Sequence, residues 1–171
     1  MKPRPRASTL GFLLRFAVYL VAGSLVLAIP WVDARLVAPW TRFNAAASAA
    51  VARMVGIDAR ADGTEVSYGS GTLNVLTGCN GVEALLILAA AVIAFPAPWK
   101  SRLAGVLAGV PLILAANLVR LGNLIVVARY FPERLELFHV YVWQTLIVLI
   151  AFVIFLGWGI LVARQAASVR P

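Results

Sequence analysis

Four long apolar stretches dominate this chain, at residues 10–29, 80–97, 103–127 and 139–162. A membrane-crossing helix needs roughly 20 apolar residues, so these stretches account for most of the sequence and leave no room for a separate soluble module. Inside hydrocarbon each backbone polar group must be satisfied within the protein, which makes helices the natural form for such stretches. The expected fold is an all-α polytopic membrane protein with four transmembrane helices, one membrane domain over residues 1–171. Composition agrees: 62% of residues are hydrophobic and 13% charged, against about 45–50% and 25% in soluble domains.

The first two stretches are separated by residues 31–78. Residues 36–56 are helix-prone, but Arg42, Asn44, Ser48 and Arg53 recur too often for a comfortable span, since a central arginine costs about 2.5–3.5 kcal/mol on insertion scales. The expectation is a small amphipathic helix lying at the interface. Val66, Tyr68, Leu73 and Val75 then alternate with polar residues around Gly69-Ser70-Gly71, which signals a β-hairpin before the second span. The first stretch exceeds the usual apolar length of a cleaved signal peptide and reads as an uncleaved anchor. Residues 128–138 form a second, shorter loop.

Net charge is +8, but the basic residues flank apolar runs and form no polar face, so a nucleic-acid partner is excluded and the lipid bilayer is the expected surrounding. With four spans, Lys2, Arg4, Arg6, Lys100, Arg102, Arg164 and Arg170 fall on one side with no acidic residue. On the other side six arginines are balanced by six acidic residues. The positive-inside rule puts both termini in the cytoplasm and residues 31–78 and 128–138 outside.

On this topology three unusual residues reach one depth, just below the extracytoplasmic surface. Cys79 opens the second span. Arg120 lies about 25 Å into the third, at 1.5 Å per residue, and His139 opens the fourth. Glu83 shares a helix face with Cys79 at i, i+4. Asn117, Arg120 and Asn123 recur every three residues as a stripe that must face the bundle interior. Such a set suits acyl transfer: a thiol nucleophile whose pKa a helix N-terminus or cation lowers, a histidine to take and return its proton, and a cation to stabilise the oxyanion. Each residue also has a plainer reading. Cys79 could be packing or a lipidation site, His139 a headgroup contact, and Glu83–Arg120 a structural ion pair. Asn117 and Asn123 could be interhelical glue. A single cysteine excludes an intramolecular disulfide and a CxxC motif, and no metal or cofactor is expected.

Three features together resemble the exosortase/archaeosortase family of membrane transpeptidases: Cys79-Asn80-Gly81-Val82 opening a span, Asn117-Leu118-Val119-Arg120 in the next, and His139 opening the last. The chain is short for the family and is most similar to the exosortase H type; Asn80 stands where serine is common. The resemblance implies catalytic Cys79, Arg120 and His139; Asn80, Gly81, Glu83, Asn117 and Asn123 are the expected supporting residues. It also implies membrane-anchored protein substrates whose C-terminal sorting signal is a short motif, an apolar helix and a basic tail. These would be cleaved through a cysteine thioester and passed to an envelope or extracellular-polysaccharide acceptor, at the periplasmic face of a bacterial inner membrane. The reading from another class is a non-enzymatic assembly or transport subunit with a structural Glu83–Arg120 pair and an inert Cys79. Oligomeric state is not legible in the sequence.

Overall fold

A computed structural model describes residues 9–69, 71–76 and 78–168. The basic leader before Thr9, Ser70, Thr77 and the tail holding Arg170 lie outside the described residues. The fold is mostly helical. Helix α1 (Thr9–Leu27) is followed by the short α2 (Pro30–Val32), a π-helical turn at Asp33–Val37 and α3 (Ala38–Met54). Strands β1 (Ala59–Asp62), β2 (Glu65–Tyr68) and β3 (Gly71–Asn74) come next, and then α4 (Val82–Ala94) and α5 (Trp99–Tyr130). A π-helical turn at Leu137–Trp143 leads into the last helix, α6 (Gln144–Ser168).

Among the described residues three helices are long and apolar enough to cross a membrane: Thr9–Leu27, Trp99–Tyr130 and the continuous Leu137–Ser168. Helix α4 is apolar but short, 13 residues, or about 20 Å at 1.5 Å per residue. Its length is set by its ends. Gly81 precedes it with φ 77°, and at its far end Phe95 is extended (φ −69°, ψ 141°), the conformation imposed on a residue preceding proline, here Pro96. Helix α5 continues through Pro111 without a break.

Helix α4 is the centre of the bundle, packed against α1, α5 and α6, while α6 also lies on α5. Small residues let the backbones close up: Gly109 of α5 faces Leu88 of α4, Gly105 faces Trp158 of α6, and Gly122 faces Val51 of α3. Without a hydrophobic force between helices in lipid, such close packing is what holds a bundle together.

Two parts of the segment between the first two spans are more elaborate than expected. The stretch read as an interfacial helix is helical, but the stripe formed by Asn44, Ala45, Ser48, Ala49 and Ala52 is buried against α5. Its polar residues face protein, where they find partners, while Arg42 and Arg53 are exposed and Arg53 Nη1 donates to the Ala59 carbonyl at 2.7 Å. The expected hairpin is a three-stranded antiparallel meander in the order β1-β2-β3. The additional turn is Gly63-Thr64, between the paired Asp62 and Glu65; Gly63 takes φ 61°, and glycine at the first of two loop positions is a hairpin signal. Val66 and Tyr68 turn their side chains into a core shared with α3 and α5.

Candidate active site

The turn holding Cys79 is fixed from several sides. Gly78 and Gly81 both have positive φ, 92° and 77°, a region that only glycine enters without strain. Between them the Asn80 side chain accepts a hydrogen bond from Val82 N at 3.1 Å, tying the turn to the start of α4. Asn80 Nδ2 donates to Thr41 Oγ1 at 2.8 Å, and Trp40 Nε1 donates to the Asn80 carbonyl at 2.8 Å. A Cβ on Gly81 would lie 3.1 Å from Asn117 Cγ, so α5 presses directly on the turn. Asn117 in turn donates from Nδ2 to Asn44 Oδ1 at 3.0 Å. Three helices, α3, α4 and α5, meet at one tight turn.

The three expected site residues come together there. Cys79 Sγ is in hydrogen-bonding contact with His139 Nε2, and Arg120 Nη2 donates to Cys79 Sγ at 4.0 Å. Arg120 is 1% exposed. His139 sits within the π-helical Leu137–Trp143. The wider turn shifts the helical register locally, a distortion frequent at functional sites.

Electrostatics at the thiol depart from expectation. Burial pushes the Cys79 thiol above its ordinary pKa; Arg120 opposes this and Glu83 adds to it. Desolvation outweighs the cation because Cys79 is buried, and a charged form loses more solvation there than one guanidinium returns. The resting group is a neutral thiol, so it needs a base within reach. His139 Nε2 is the group so placed.

Arg120 and Glu83 form no ion pair among the described residues. Arg120 Nη2 instead reaches Gln144 Oε1 at 3.2 Å, and Glu83 Oε2 is buried without a hydrogen-bond partner. The geometry of Arg120 is thus shared between Cys79 and Gln144. Asn123 is not at the thiol: it accepts from Trp143 Nε1 at 2.8 Å, linking α5 to the π-helical segment beside His139. Gln144, Trp40, Thr41 and Asn44 were not expected at the site. Gln144 had a usable signal, as an amide inside an otherwise apolar span. The three on α3 had none, because their role depends on α3 turning toward α5.

A cavity of about 260 Å³ opens beside the thiol, lined by β3 (Thr72, Leu73, Asn74), by Leu121 and Leu124 of α5, and by Leu135, Cys79 and His139. The sheet therefore walls one side of the site. A buried thiol, a histidine in contact with it, a fixed cation and a cavity are the parts that thiol acyl chemistry needs.

The sequence model of the transmembrane exosortase family (Exosortase_EpsH) matches residues 7–159. This chain belongs to that family. No curated protein and no solved structure matches it. Exosortases are cysteine-dependent transpeptidases, and Cys79 is the one cysteine in this member. Membership together with the apolar helices makes it a multi-pass membrane protein.

Proposed function

We propose that this exosortase is a membrane cysteine transpeptidase that cleaves the C-terminal sorting signals of exported proteins. The single observation that carries the reading is the meeting of Cys79 Sγ with His139 Nε2 and Arg120 Nη2 from three separate elements. The neutral thiol gives its proton to His139 as sulfur attacks the scissile carbonyl. The developing oxyanion is stabilised by Arg120, whose orientation Gln144 holds. His139 then returns the proton to the leaving amine, and the exported part of the substrate remains as a thioester on Cys79. An envelope or polysaccharide nucleophile attacks that thioester, releasing the thiol. The site faces the periplasm of a bacterial inner membrane, with both termini in the cytoplasm.

Against the reading as a structural subunit stands the absence of a Glu83–Arg120 bond among the described residues: Arg120 is turned toward the thiol instead. The test is co-expression with a protein ending in a short motif, an apolar helix and a basic tail. Cys79→Ala is expected to abolish the shortened product, and His139→Ala to reduce it by about 100-fold or more. A shortened product from Cys79→Ala at the wild-type level would overturn the mechanism.

A further inference from the structure

Helices α1 and α6 both lean on α4, and a groove of about 310 Å³ lies between them. Its floor is Ile87, Leu88 and Ala91, and its walls come from α1 (Phe16) and α6 (Leu149). At the end far from Cys79 the groove is closed: the Phe12 and Phe155 rings stack with centroids 6.0 Å apart, and Phe95 meets Phe12 edge-on at 6.4 Å. Toward Cys79, Ile87 and Val148 separate it from a small cavity of about 20 Å³ that both residues also line. That small cavity is bounded by Gly78, Gly81, Glu83, Arg120 and Gln144. Two of these residues carry a buried polar atom without a hydrogen-bond partner, Glu83 Oε2 and Arg120 Nε.

An apolar groove flanked at one end by an unpartnered carboxylate near a nucleophile narrows the choice of occupant. Any helix begins with four backbone N–H groups that lack intrahelical partners, and it carries positive partial charge there. A carboxylate suits that end and repels the other. Glu83 lies in the first turn of α4 itself, and the α4 dipole accounts for a negative charge there but leaves Oε2 without a hydrogen bond.

We propose that the groove between α1 and α6 docks the apolar transmembrane helix of the substrate, and that Glu83 caps the N-terminus of that helix. This places the peptide segment just before the helix at Cys79. The proposal rests on the function argued above and adds the docking face, the helix polarity and a positioning role for Glu83. A lipid chain would fill the groove but offers no N–H groups to Glu83. A second copy of this chain would need a helix start free at this depth.

Photocrosslinking tests docking without requiring chemistry. In full-length Cys79→Ala membranes, a benzophenone amino acid replaces Leu149 on the groove wall. A second variant carries it at Val119, which is 61% exposed on α5 and does not line the groove. The probe is an exported, tagged protein anchored by a Leu/Ala helix with its N-terminus outside and a lysine tail inside. Docking gives a probe adduct at Leu149 and not at Val119. Equal yields at both positions, adducts with lipid alone, or adducts with a second copy would overturn it.

With Glu83→Gln, which keeps the size and loses the charge, the Leu149 adduct is expected to fall about five- to tenfold while the melting temperature holds. Glu83→Asp restores part of it. An unchanged yield would remove Glu83 from the proposal. Because these arms use Cys79→Ala, they report docking whether or not Cys79 cleaves. Processing by the wild-type chain with no Leu149 adduct would leave the proposed function standing and sink the groove.

Discussion

At the scale of the residue, Cys79 is governed by two opposed effects. Arg120 favours the thiolate and burial disfavours it, and burial is the larger. A raised thiol pKa means the group stays protonated at neutral pH and ionises only as pH climbs past the ordinary value of about 8.5. Alkylation of Cys79 by iodoacetamide in detergent is therefore expected to be slow at pH 7 and still accelerating beyond pH 9. Glu83→Gln removes one of the causes of the rise, so alkylation at a given pH should speed up on the order of a few-fold. Alkylation that levels off below pH 8 would refute a neutral resting thiol and weaken the case for His139 as its base.

At the scale of the element, the site depends on α3 as much as on the helices that hold Cys79, Arg120 and His139. Asn44 is fully buried and receives the Asn117 amide, and Asn117 sits beneath Gly81. Asn44→Ala leaves that buried amide without its acceptor, a loss of about 1–3 kcal/mol. The expected outcome is a lower melting temperature in detergent, with reduced processing because the Cys79 turn loses its support. In the double variant Asn44→Ala/Asn117→Ala the loss should be smaller than the sum of the two single losses, since both remove one contact. Strict additivity would mean that the pair does not couple α3 to α5.

At the scale of the whole molecule, the proposed orientation, with both termini in the cytoplasm, is one that labelling can read. In a Cys79→Ala background, Asp62→Cys lies at the end of β1 and Lys100→Cys at the start of α5, and both positions are exposed. A membrane-impermeant maleimide added to intact spheroplasts should label Asp62→Cys and leave Lys100→Cys unlabelled until the membrane is permeabilised. The reverse pattern would invert the topology and place the thiol on the cytoplasmic face.

Much of this protein was legible without coordinates. Apolar length alone identified the membrane class, because a bilayer imposes a minimum span on any helix that crosses it. Counting residues along the spans brought Cys79, Arg120 and His139 to one depth, since helical rise is nearly constant. Local pattern was less complete. The alternation at Val66 and Tyr68 announced strands, but the Gly63-Thr64 turn that adds β1 was not signalled by any alternation before it. What spacing could not reach was which face each helix presents to which neighbour. Asn44 and Ser48 looked like reasons to keep α3 at the interface, and only packing against α5 shows them buried. Arg120 was equally suited to Glu83 or to Cys79 by depth, and the fold directs it to the thiol and Gln144. The stretch from Gly78 to Glu83 owes its residue types to the sequence and its chemistry to contacts from α3, α5 and the π-helical segment at Leu137–Trp143. Depth is a one-dimensional property that a sequence carries; rotation about a helix axis is decided by partners distant in the chain.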